Sequence, residues 1–102
     1  MMRDLTELDR LENWLRNNGY EYTRTDRDGD VDFHQIIVYR HHTKIRSWDA
    51  ICHYGSYGAE RGLLEIYGDI VPYDVEDSVE GWLTASDVIK RISKKELEQS
   101  FN

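Results

Sequence analysis

At 102 residues, with 39% apolar and 12% aromatic content, the chain is sized for one α+β domain over residues 1–102 with a single core, and disorder is excluded despite 32% charged residues. Its 13 Lys and Arg face 20 Asp and Glu, a formal charge of −7 that opposes general binding to nucleic acid or to an anionic membrane, since both need cations. The lone Cys52 closes no intramolecular disulfide, no apolar run reaches the roughly 18–20 residues that span a bilayer, and the charged start (Arg3, Asp4, Glu7) is unlike a signal peptide, so a cytoplasmic protein is expected.

Residues 5–18 read as a helix. Leu5, Leu8, Leu11, Trp14 and Leu15 share one face at the 3.6-residue period, Asp4 and Glu7 have capping-box spacing, and Gly19 suits a left-handed end. Residues 20–39 read as a hairpin turning on Asp28-Gly29. That pairing puts Tyr20, Tyr22, Val31, Phe33, Ile37 and Tyr39 on one face. It leaves Ile36 and Val38 on the other, so either both faces are partly covered or a bulge near His34-Gln35 switches the register. A third strand over residues 45–54 turns Trp48, Ala50, Cys52 and Tyr54 to one side. The glycine-rich residues 55–62 form a loop, residues 63–67 a fourth strand, and residues 71–81, with Pro72 and several acids, a long loop. A last helix starts near Thr84 with Asp87 completing a capping box, and buries Ala85, Val88, Ile89 and Ile92. Ser93 and Glu96 repeat that spacing, which predicts a break before a short final helix burying Leu97 and Phe101. The order α-β-β-β-β-α predicts an antiparallel four-stranded sheet with both helices on one face.

Several chemistries lack their parts. Asp26, Asp28, Asp30 and Asp32 alternate as in a calcium loop, but the EF-hand positions for glycine and bidentate glutamate hold Val31 and Ile37. They read as a solvated turn. His34, His41, His42, Cys52 and His53 include adjacent pairs, which diverge on a strand; His41-His42 escapes that objection only in a turn, and no second cluster of matching spacing exists. No metal and no cofactor is expected. Cys52-His53 on one strand makes no dyad, and His34 reaches Cys52 only if register and face agree. Ser56 in GSYG lacks the strand–elbow–helix setting of a hydrolase nucleophile, and Gly55, Gly58 and Gly62 lack the Lys and helix of a phosphate loop. No catalytic residue is assigned.

Charge layout is the remaining signal. Between Gly62 and Ile89 the chain carries Glu65, Asp69, Asp74, Glu76, Asp77, Glu80 and Asp87 without a Lys or Arg. Such self-repulsion is eased by a cationic partner. Tyr57 and Arg61, in the glycine-rich loop, are residue types that anchor interfaces. Trp82, beside that acid group, reads as a core ring or, as the alternative, an interface anchor. Arg40, Lys44 and Arg46 form a small basic group, a poor base for direct nucleic-acid binding in so acidic a chain.

The run WDAICHYGSYGAERGLLEIYG (residues 48–68), followed by VEGWLTASDVIKRI (residues 79–92), resembles a group of small uncharacterised proteins encoded by phages and prophage-like elements of Firmicutes. The similarity carries no catalytic or binding residue. It implies a bacterial host cytoplasm, where small acidic phage products often inhibit or adapt nucleic-acid machinery, CRISPR nucleases included. The expected function is a non-catalytic protein-interaction module. It would use Tyr57, Arg61, Glu65, Asp69, Asp74, Glu76, Asp77 and Glu80 against a protein with a basic surface, with no direct nucleic acid and no membrane. The alternatives are a nucleic-acid-mimicking inhibitor of a host enzyme and a small Cys/His-dependent enzyme.

Overall fold

The computed structural model describes residues 2–72 and 79–100. Within them the chain runs α1 (Thr6–Asn17), β1 (Tyr22–Arg27), β2 (Phe33–Tyr39), β3 (Arg46–Ile51), β4 (Leu64–Gly68), β5 (Val79–Leu83) and α2 (Ala85–Ser100), with a 3-10 turn over Ala59–Arg61. The strands form one antiparallel sheet in chain order, β1 and β5 at its edges. Among the described residues no helix is long and apolar enough to cross a membrane.

The sheet has five strands, not the expected four. Val79–Leu83 pairs with β4, where the sequence reads as the tail of an acidic loop running into a helix. A bulge hid it. Leu64 faces Leu83 and Ile66 faces Glu80, so Gly81 and Trp82 together stand opposite Glu65. The extra residue breaks the period of two by which a strand is recognised.

The first hairpin also differs. Arg27 pairs with Phe33 and Tyr22 with Val38, so residues 28–32 connect the strands in place of a two-residue Asp28-Gly29 turn. A two-residue turn would pair odd positions with even ones; this register pairs like with like, and a slip of odd length turns every β2 side chain over. His34, Ile36 and Val38 therefore point inward with Tyr22, while Phe33, Ile37 and Tyr39 lie on the outer face. The ladder runs unbroken through His34 and Gln35, and both sheet faces are covered in part: Ile37 is only 8% exposed on the outer one.

The inner row packs with Trp48, Ala50, Cys52, Leu64 and Ile66 against Leu8, Leu11 and Leu15 of α1 and Ala85, Val88 and Ile92 of α2. Each buried leucine contributes about 1.5–3 kcal/mol of transfer free energy. Tyr54, expected inward, is exposed, because β3 ends at Ile51.

The helix ends show which caps formed. Thr84 Oγ1 accepts the Asp87 N–H at 3.1 Å and Asp87 Oδ2 accepts the Thr84 N–H at 3.0 Å, the reciprocal box expected for α2. At α1 the box divides. Asp4 Oδ1 accepts the Thr6 N–H at 3.0 Å, whereas Glu7 Oε1 reaches across to the Ala85 N–H at 2.9 Å, so α1 caps α2. Gly19 (φ +75°) follows α1 in the left-handed region as expected. Helix α2 runs through Ser93 to Ser100 without the expected break, since good helix formers follow on both sides of one tolerated serine. Leu97 is exposed, and Phe101 lies outside the described residues.

Candidate functional site

Three groups of side chains carry chemistry, and burial separates them. The first grows from the acidic connection between β1 and β2, where Asp26, Asp28 and Asp30 are exposed as expected of a solvated turn and Asp32 alone of the four is buried. Asp32 is buried and receives Arg3 through two parallel bonds, Nε to Oδ2 and Nη2 to Oδ1, both 2.9 Å; the Tyr54 N–H adds a third at 2.9 Å. The guanidinium, with the Tyr54 amide, outweighs burial and holds the Asp32 carboxyl well below the usual carboxylate range. His34, 1% exposed, lies between buried Asp32 and exposed Asp26. Its Nδ1 sits 2.7 Å from Asp26 Oδ1, and its Nε2 stands 3.1 Å from Asp32 Oδ2 without hydrogen-bond alignment. Burial acts to raise the Asp26 carboxyl, but bonds from His34 and Arg24 outweigh it and lower it overall. Arg24 continues the chain to Asp9 at 2.8 Å and Glu12 at 3.0 Å on α1. The network fastens the N-terminal segment and α1 to the first hairpin. The sequence signal was present at one end only: Arg24 lies two residues from Asp26, whereas Arg3 lies 29 residues from Asp32.

The Cys/His chemistry meets a different obstacle. Register and face do agree, for the Cys52 N–H donates to the His34 carbonyl at 3.1 Å and both side chains are buried. The thiol itself faces the Asp4 carbonyl at 3.7 Å, and burial pushes its pKa up to about 11. A thiol held protonated in an apolar core is a poor nucleophile. His53 stacks on Phe33, centroids 4.8 Å apart, and its Nδ1 meets the His34 backbone. Ser56 Oγ is engaged at the turn, donating to the His53 carbonyl at 2.8 Å.

The third group is exposed. Trp82, expected in the core, is 59% exposed and is a non-glycine residue with φ +63°. Its N–H donates to the Tyr57 carbonyl at 3.2 Å. A Cβ at Gly81 would overlap the Tyr57 Cβ, so Tyr57 is seated against the bare backbone there. Glu65, opposite the bulge, accepts the Tyr57 N–H at 3.0 Å through Oε1. Tyr57 and Tyr67 are exposed, and Tyr67 shares the outer sheet face with Glu65. The β5 bulge, the glycine-rich loop and β4 thus bring the Tyr57 and Trp82 backbones beside Glu65, with Tyr67 two residues along the same strand, and the three aromatic side chains are exposed. On the outer face, burial pushes the Asp49 carboxyl up against the opposing bond from Gln35 Nε2 at 2.6 Å.

The remaining acids do not join this group. Asp69 takes Arg40 Nε at 3.3 Å and the Ser47 hydroxyl at 3.0 Å. Glu80, facing the helices, holds Arg91 Nε at 3.1 Å. Asp87 is spent on its cap. Arg40 and Arg91 come from outside the cation-free stretch, so compensation invisible along the chain is supplied by the fold. Arg61 is exposed at the end of the 3-10 turn. Asp74, Glu76 and Asp77 lie outside the described residues.

Comparison with protein-family models, with curated proteins and with solved structures found no match.

Proposed function

We propose that the chain is a non-catalytic protein-interaction module that docks a basic protein surface through the aromatic patch of Tyr57, Tyr67 and Trp82 around Glu65, with Arg61 at its rim. The carrying observation is Trp82: a large ring held in solvent by a backbone conformation that disfavours any residue with a side chain. Such a conformation costs about 1–3 kcal/mol and persists where its surroundings enforce it, most often at functional positions. Trp and Tyr are the side chains that dominate interface energetics. A carboxylate beside them and a net charge of −7 favour a partner bearing Lys and Arg. Burial of Cys52 and His34 supports the absence of catalysis. The sequence resemblance points to the bacterial cytoplasm and a component of host nucleic-acid machinery as the partner. The dispersal of Asp69, Glu80 and Asp87 favours this reading over mimicry of a nucleic acid.

The test is parallel capture from a bacterial lysate with wild type, Trp82→Ala, Tyr57→Ala and Glu65→Lys, with Leu97→Ala as a control on the helix side. A basic protein retained by wild type and by the control, released by the patch variants and weakened by salt, is the expected result. Equal retention by every variant overturns the assignment of the surface.

A further inference from the structure

We propose that Glu21, His41 and His42 form a binding site for a single borderline-soft divalent ion, with zinc as its natural occupant. The histidines lie between β2 and β3, where the Thr43 N–H donates to the Arg40 carbonyl at 3.0 Å and the Arg40 N–H to the Ile45 carbonyl at 2.9 Å. On a strand, consecutive side chains diverge. Here His42 takes φ +57°, and the left-handed step brings the two rings together, centroids 3.7 Å apart with planes at 46°. His42 and Trp82 are the non-glycine residues with positive φ among those described, and the conformation is costly at both.

Glu21 arrives from the other side. Its carbonyl accepts the Tyr39 N–H at 3.0 Å, which fixes the residue before β1 beside the end of β2. Its Oε1 lies 3.5 Å from His42 Nδ1. One donor atom from each of the three side chains lies within 4.8 Å of the other two. Zinc bonds of about 2.0–2.2 Å place neighbouring ligands roughly 3.3 Å apart in a tetrahedron. All three side chains are exposed, so small rotations close the difference without disturbing the core.

The donor set selects the ion. Two imidazoles with one carboxylate suit zinc, nickel or copper, whereas calcium and magnesium want oxygen ligands throughout. The nearby Arg40 guanidinium is bound to Asp69, which reduces its repulsion of a cation. Three protein ligands leave a fourth position for water or an incoming group, the pattern of an open rather than a closed zinc site. Glu21 and His41 also line a cleft of about 740 Å³ with Tyr20, Trp48 and Glu96. The ion would stand at its rim.

Titration of tag-free protein with zinc chloride by calorimetry, and with cobalt(II) by visible absorption, tests this directly. One ion per chain and a tetrahedral cobalt spectrum are expected. His41→Ala, His42→Ala and Glu21→Gln should each weaken binding at least about tenfold, with unchanged circular dichroism. His53→Ala should leave it intact. Undiminished binding by a folded His41→Ala/His42→Ala double variant, or no uptake of zinc by wild type, overturns the proposal.

Discussion

Asp32 ties three parts of the chain together, because Arg3 and the Tyr54 amide both donate to it and the His34 ring lies against it. Asp32→Ala leaves the Arg3 guanidinium and the Tyr54 N–H without their acceptor at a largely buried position and should cost about 2–3 kcal/mol in urea unfolding at neutral pH. Its pH signature has a definite sign. The folded pKa is depressed, so the contribution is full above the ordinary carboxylate value of about 3.9 and is lost as pH falls from there toward the lowered folded value. Asp32→Asn should therefore flatten the acid limb of the stability profile in that window. Cys52 works in the opposite direction. Its folded pKa is raised from 9.0 to about 11, so the unfolded chain loses its thiol proton first and stability falls as pH climbs between those values. Cys52→Ala should remove that share of the alkaline loss, and the native thiol should react with a disulfide reagent only when denaturant opens the core. Rapid reaction in native buffer contradicts the burial described.

At the scale of elements, β5 is the informative one. The Gly81–Trp82 bulge holds the tryptophan in a left-handed conformation that glycine adopts freely. Trp82→Gly should consequently leave stability unchanged or raise it by about 1 kcal/mol while abolishing capture of the partner. A large loss of stability would instead make Trp82 a structural residue. Gly81→Ala tests the other half of the bulge: its Cβ overlaps the Tyr57 side chain and should cost about 1–3 kcal/mol. The same strand shows where sequence reasoning stops. Helix α1 and the start of α2 were legible because apolar period and capping residues are local signals, and Thr84 with Asp87 formed the box their spacing predicts, whereas the same spacing at Ser93 and Glu96 wrongly predicted a break. The sheet was legible only where strands alternate without interruption. Asp28-Gly29 carried a genuine turn signal, yet Arg3 and His34 draw Asp32 inward, and the connection lengthens to accommodate them. Tertiary partners won over turn chemistry. The aromatic patch was half legible: Tyr57, Arg61 and Glu65 stood out by type, but Trp82 read as core because its exposure depends on the bulge.

Over the whole molecule, the two sheet edges decide how copies of the chain meet. An open edge is a template for pairing with another strand, and self-association through β5 would hide the patch assigned to the partner. Both edges carry features that oppose this. Strand β1 carries Arg24 turned inward onto α1 with Asp26 and Arg27 exposed, and β5 is short and bulged at Gly81–Trp82. Like-charged copies, each at −7, also repel at low ionic strength. The chain should accordingly behave as a monomer of 12.1 kDa in light scattering across the micromolar range, at low and high salt alike. A dimer that wild type forms and Trp82→Ala loses would identify a second copy as the occupant of the patch. In that case the anionic surface would face itself, and the requirement for a basic partner would fall with it.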